Sequence, residues 1–303
     1  MIRFYTDHYF QIGSAHYTSG KPCQDYSRSG ANELIACAII SDGCSTGGHT
    51  DVGSRVLTLS TFQAIRDHAK ASGGALDTAV VSITSRQQQI ISASKIVLGL
   101  HWKDMLATCV YCYLTRNGGF VHVQGDGVAA LKYRNGSIKM FRYDWAKNAP
   151  FYPSYDDEAA RQYIANPNLH NGNEATAVLT GVEVLRQPDG AYSSEQVSTL
   201  LFAEGRKGAV INVSSEEISR LEYCAVFSDG VTQIGKLPRG EEFTDWKDVV
   251  AEFLSFKSST GEFAKRRMIR GLKDLEKADK GPIDDISYAV IRIADDTEEE
   301  SNT

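Results

Sequence analysis

Residues 108–143 read TCVYCYLTRNGGFVHVQGDGVAALKYRNGSIKMFRY, and their pattern decides the fold. Apolar and aromatic runs are broken at Arg116-Asn117-Gly118-Gly119, Gly125-Asp126-Gly127 and Asn135-Gly136. β-Branched and aromatic residues suit a pleated surface, and Asn-Gly or Gly-Gly between two such runs is a strong hairpin signal. Four strands are expected here, over 108–114, 120–124, 128–133 and 137–143, as a run of antiparallel hairpins.

Working outward, two helices precede this block. Asp51 opens a stretch with Val52, Val56, Leu57, Leu59, Phe62 and Ile65 at helical spacing, ended near Ser72-Gly73-Gly74, and a second helix is expected from about Leu76 to Leu100. Thr50 or Asp51 is the expected cap, leaving Gly47-Gly48 in a loop able to approach a ligand closely. Earlier still, Leu34 to Ile40 is one continuous apolar run, as in a central strand covered on both faces, and residues 1–15 open as a strand or hairpin. On the C-terminal side strand character returns at 197–202, 209–213 and 223–227, then two helices (245–255 and 260–278) and a last strand at 286–293. Sheets in the middle with helix pairs outside bury all of this as an α+β fold, a four-layer α-β-β-α sandwich with two central antiparallel β-sheets flanked by helix pairs. One domain over 1–294 is expected. Residues 144–195, with Pro150, Pro153, Pro167 and Pro188, are expected as an inserted flap, and 295–303 as a disordered acidic tail.

Composition narrows the function. The 303 residues are 42% hydrophobic, enough for a sizeable core, and a formal charge of −6 with scattered Lys and Arg argues against a nucleic-acid partner. No stretch approaches the roughly 20 apolar residues of a membrane span, and the N-terminus lacks a signal-peptide core, so a cytoplasmic protein with no membrane partner is expected. The six cysteines are expected as buried free thiols. Cys109 and Cys112 have zinc-like spacing, but inside a strand pattern with no second ligand pair.

The informative residues are acidic. Cys23-Gln24-Asp25, Ser41-Asp42-Gly43, Gly125-Asp126-Gly127, Ser228-Asp229-Gly230 and Asp284-Asp285-Ile286-Ser287 each set a carboxylate at or near a predicted strand end. Singly, each could be a turn-forming aspartate. Together they offer the oxygen ligands that hard divalent cations require, and two such ions roughly 3.5 to 4 Å apart can activate a water and neutralise a phosphoryl group. Asp42 is the best bridging candidate, because the glycine after it leaves room for a backbone carbonyl to turn towards a metal.

This ordered set, with the Gly20-Lys21-Pro22-Cys23 turn before Gln24-Asp25, Gly47-Gly48 after Asp42, and Val231 after Gly230, resembles the motifs of the PP2C-type metal-dependent serine/threonine phosphatases over nearly the whole chain. The resemblance implies the same sandwich, with two Mn²⁺ or Mg²⁺ ions between its sheets. It implies that Asp42 bridges them, that Gly43 gives its carbonyl, that Asp229 and Asp284 bind one ion, that Asp25 holds metal-bound water, and that Asp126 is a third-metal carboxylate. It also implies in-line attack by water on a phosphoprotein substrate, with a Ser/Thr kinase or its targets as partners.

The chain departs from the family pattern in two places. Gly20 stands where members often carry a phosphate-gripping arginine, which leaves Lys21 or His16 to hold the phosphate. His16 is also a candidate general acid, although a structural hydrogen-bonding role competes, and Lys21 could be a surface charge. The loop Cys44-Ser45-Thr46-Gly47-Gly48-His49 differs from the family's common Gly-His-Gly-Gly. Two alternatives therefore stand beside a phosphoprotein phosphatase: a non-catalytic phosphoprotein-binding or regulatory module, and a small phosphate-ester hydrolase.

Overall fold

The computed structural model describes residues 2–146, 150–165, 178–201, 208–238 and 240–295. Two sheets form its centre. The larger runs β1 (Ile2–Gln11), β14 (Ile286–Asp295), β11 (Leu221–Phe227), β6 (Gly127–Tyr133), β7 (Ile138–Trp145), β8 (Val178–Arg186) and β9 (Tyr192–Leu201). The smaller runs β10 (Ala209–Val213), β5 (Gly118–Gln124), β4 (Cys109–Thr115), β3 (Ile35–Ser41) and β2 (Tyr26–Ala31). Neighbouring strands are antiparallel throughout both sheets. A separate ribbon pairs β12 (Ile234–Lys236) with β13 (Lys280–Pro282).

The apolar runs explain the layering. Along β3, Ala36, Ala38 and Ile40 point between the sheets, whereas Ile35, Cys37 and Ile39 pack under α2 (Thr50–Ser72) and α3 (Ala79–Leu98). β11 divides likewise: Cys224 and Val226 face the smaller sheet, while Tyr223, Ala225 and Phe227 meet α6 (Trp246–Phe253) and α7 (Phe263–Glu276). A strand covered on both faces must be apolar at every position, which is why these segments lack alternation. Each fully buried Ile, Leu or Phe contributes about 1.5–3 kcal/mol, so three such layers supply most of the driving force. The α-β-β-α sandwich is the observed architecture. Among the described residues no helix is long and apolar enough to cross a membrane.

All six cysteines are free, with Cys23 and Cys44 only partly buried. Cys109 faces the helices and Cys112 the inter-sheet core, so the two thiols lie on opposite sides of β4 and cannot share an ion.

Four local expectations change. Gly125-Asp126-Gly127 is not a hairpin turn but the crossing from the smaller sheet (β5) to the larger (β6), made possible by two left-handed glycines with φ of 98° and 140°. The segment expected as a flap holds, after a turn of 3₁₀ helix at Pro153–Asp156 and α4 (Glu158–Ala165), two strands that extend the large sheet. β8 and β9 lie at its edge, so their sequences keep many polar residues. Residues 147–149 and 166–177 of that segment and 296–303 of the expected tail lie outside the described residues. Two short helices, α1 (Ser14–Ser19) and α5 (Ser215–Arg220), had no strong sequence signal. Finally, α2 is not capped by its own Thr50 or Asp51. Asp104 accepts the His49 N–H at 2.7 Å and, through its other oxygen, the His101 N–H at 2.7 Å, and the Gly48 N–H bonds the Lys103 carbonyl. The Gly47-Gly48 loop is thereby tied to residues 101–105.

Candidate metal centre

Antiparallel register brings the acidic residues to one rim. Tyr26 pairs with Ser41, which sets Asp25 beside Asp42 where β2 begins and β3 ends. Thr108 then fixes Asp42 from the β4 side: its N–H donates to the Asp42 carbonyl at 2.8 Å, and its Oγ1 accepts the Asp42 N–H at 3.1 Å. In the other sheet Phe227 pairs with both Val128 and Tyr288, so the end of β11 and the starts of β6 and β14 coincide. Asp126, Asp229 and Asp284 sit two to four residues beyond those pairs. Between the sheets at this rim is a cleft of about 280 Å³, lined by Asp42, Gly43, Cys44, Ser45, Thr46, Thr108, Asp126, Pro150, Tyr152, Asp229, Gln233 and Asp284.

Asp25, close to Asp42 but outside the lining of this cleft, is completely buried, and neither carboxylate oxygen has a hydrogen-bond partner among the described residues. Burial pushes its carboxyl up to about 8; the nearby Ser228 hydroxyl opposes this, and the charge of Asp285 adds to it. Asp42 is raised well above the ordinary range by burial and then by the charges of Asp25, Asp229 and Asp284. Asp126 moves the same way through burial and through Asp229 and Asp144. Asp229 is raised by burial and by the charge of Asp284, opposed by hydrogen bonding with the Asp42 carboxyl; Gln233 Nε2 donates to its Oδ2 at 3.0 Å, while Oδ1 has no partner with hydrogen-bond geometry among the described residues. Such a group of carboxylates repels itself unless it is protonated or neutralised by cations.

The donor set fits hard divalent ions. It is all oxygen, it converges from both sheets, and both oxygens of Asp25 and Oδ1 of Asp229 lack the hydrogen-bond donors that a structural carboxylate normally finds. Gly43 joins the cleft through its backbone, where a Cβ would come 2.7 Å from the Thr50 carbonyl oxygen, so only glycine fits without displacement.

His16 and Lys21 are placed differently. Neither lines the cleft. His16 is 7% exposed and its Nδ1 lies 2.9 Å from Asp285 Oδ2, against 3.9 Å from Asp284 Oδ1. Lys21 is exposed, and its Nζ reaches the Ser45 carbonyl at 3.4 Å on the rim loop.

Sequence reasoning missed Asp285. It is 1% exposed, its Oδ1 accepts the Gly13 N–H at 2.7 Å, and its Oδ2 accepts the Gln24 N–H at 2.6 Å together with the His16 contact. The chain leading to Asp25 is thus tied to the start of β14 through one buried carboxylate. Gln24 extends the tie, since its Nε2 donates to Thr50 Oγ1 at 2.7 Å and that hydroxyl donates to the Cys44 carbonyl at 3.0 Å. The signal was the doubled aspartate, which does not say which of the two is inside.

The comparisons with known proteins agree with this geometry. Residues 12–273 match the family model described as protein phosphatase 2C. Among solved structures, a mutant bacterial serine phosphatase superposes with a TM-score of 0.57 at 10% identity, covering 97% of this chain and 99% of that one. The serine/threonine phosphatase Stp1 from Staphylococcus aureus gives 0.54 at 11% identity, covering 97% and 96%. At these identities the likeness is one of fold. A search of curated proteins gives no match. With the family model spanning most of its length and the acidic rim in place, the chain belongs to the protein phosphatase 2C family.

Proposed function

We propose that this protein is a metal-dependent phosphatase acting on phosphoserine and phosphothreonine in proteins, with Mn²⁺ or Mg²⁺ held at the acidic rim. The observation that carries the reading is Asp25, fully buried beside Asp42 with both oxygens unpartnered among the described residues, while Asp42 in turn is close to Asp229 and Asp284. A pair of divalent ions would supply Lewis-acid charge and a water acidic enough to ionise near neutral pH.

The chain's own residues would do the rest. Asp42, close to Asp25, Asp229 and Asp284, would be the ligand shared between the ions, with Asp229 and Asp284 beside it and the Gly43 carbonyl and Asp126 as further ligands. Asp25, buried beside Asp42, would hold water at the ions by accepting a hydrogen bond from it. Gln233 holds Asp229 Oδ2, leaving Oδ1 for coordination. Thr108 fixes the Asp42 backbone, so the bridging carboxylate is aimed before any ligand arrives. Lys21, on the Ser45 carbonyl, is within reach of a phosphate at the cleft mouth, whereas His16 serves by orienting Asp285 and not by touching substrate.

A phosphothreonine peptide incubated with the protein and Mn²⁺ is expected to release inorganic phosphate, and EDTA to abolish the release. Turnover that survives both chelation and Asp229→Ala would sink the reading. Tight peptide binding with no release at any metal concentration would favour the non-catalytic module instead.

A further inference from the structure

On the outer face of the large sheet, at the α6–α7 helix pair, lies a second cavity of about 150 Å³ that contains none of the cleft residues. Its floor is aromatic: Phe256 and Phe263 meet edge to face with centroids 5.1 Å apart. Its walls are cationic, formed by Lys257 on the loop after α6 and by Arg266, Arg267 and Arg270 on α7.

These four cations differ in how they are held. Arg267 is the fixed one, its side chain only 10% exposed, with Nε donating to the Glu252 carbonyl at 2.8 Å and its guanidinium paired with the Glu252 carboxylate. Burial and the charge of Arg270 lower its pKa, although nearby Tyr288 and Asp274 act the other way. Arg266 is held open by a bond from its guanidinium to the Thr260 carbonyl at 2.6 Å. Arg270 and Lys257 are exposed. The neighbouring acids are already engaged: Glu252 with Arg267, Glu262 with Lys265, and Asp274 with Lys277. A positive, aromatic-floored cavity on a chain of net charge −6 is a local inversion of the molecule's field, which attracts anionic chains to one place.

We infer that this cavity docks an Asp/Glu-rich segment of the phosphoprotein substrate, away from the reacting phosphate; the identity of the partner rests on the phosphatase reading above. A guanidinium fork grips a carboxylate through two parallel hydrogen bonds, and the aromatic floor takes the methylene stems of acidic side chains. The cavity's size suits one or two such side chains, so the segment is gripped at a point and not enclosed.

The test is a fluorescein-labelled peptide of alternating Glu and Asp, titrated by anisotropy against the full chain in about 50 mM and about 300 mM salt. Binding should weaken strongly with salt, and the double variant Arg266→Glu/Arg270→Glu should raise Kd about ten-fold or more while circular dichroism stays unchanged. The same variant should raise KM for a phosphoprotein carrying an acidic stretch and leave p-nitrophenyl phosphate turnover as in the parent. Equal peptide affinity in parent and variant overturns the inference. So does a parent chain that binds peptide only after residues 296–303 are removed, which would put its own acidic end in the cavity. Because peptide binding needs no catalysis, a protein without phosphatase activity that still binds through Arg266 and Arg270 refutes the function and leaves the site standing.

Discussion

Asp25 is the residue on which metal binding and stability meet. In the metal-free protein its isolation is a cost, since a carboxyl held up to about 8 in the folded state has an ordinary value of 3.8 when the chain unfolds. Replacing it with asparagine removes that charge without changing its shape. Asp25→Asn is expected to raise the melting temperature of the metal-free protein and to weaken Mn²⁺ binding by about 10- to 100-fold, read by differential scanning fluorimetry with and without metal. A variant that loses stability and keeps its metal affinity would show that Asp25 is structural. The five acidic residues of the rim were legible because each lies near a glycine or at the edge of an apolar run. Asp285 was not, because its burial is decided by contacts with Gly13, His16 and Gln24, more than 260 residues away.

At the scale of elements, the legible strands were those with a single possible environment. β3 and β11 are buried on both faces and read as unbroken apolar runs. β9 is the edge strand and β8 its inner neighbour, and Ser193, Glu195 and Gln196 look like loop in the sequence because β9 is exposed along most of its length. The crossover at 125–127 was invisible for a different reason: the letters that make a hairpin also make a step between sheets. Its left-handed glycines are testable. Gly127→Ala puts a Cβ 2.9 Å from the Phe227 carbonyl oxygen at a φ of 140°, and is expected to destabilise by at least about 1–2 kcal/mol in urea unfolding. The tie between the first and last acidic segments is worth more. Asp285→Ala leaves the Gly13 and Gln24 N–H groups and His16 buried without their acceptor, at a cost of about 3 kcal/mol, whereas His16→Ala removes one contact and should cost about 1 kcal/mol. Equal losses for the two variants would contradict the central place given to Asp285.

For the whole molecule, the acidic rim makes stability depend on pH with an unusual sign. Asp25, Asp42, Asp126 and Asp229 all have carboxyls raised by burial and, to a smaller extent, by the charge of neighbouring carboxylates. Between 3.8 and about 8 the folded chain therefore holds protons that the unfolded chain has released, so stability falls as pH rises through that window. Metal-free protein is expected to melt at a lower temperature at pH 8 than at pH 6, and saturation with Mn²⁺ should flatten the difference, since bound cations replace the protons. A metal-free protein that is more stable at pH 8 would mean that the carboxylates find other partners in solution. The sandwich frame was readable in the sequence because alternating blocks of helix and strand allow few ways to bury their faces. The rim needed the register, which only the folded sheets supply.

The most direct test is calorimetric titration of the purified, chelator-treated chain with MnCl₂, beside Asp42→Ala. The account predicts about two ions per chain for the parent, as a paired site requires, with at least one lost in the variant. No binding by the parent, or the same stoichiometry and affinity after removal of Asp42, would contradict it.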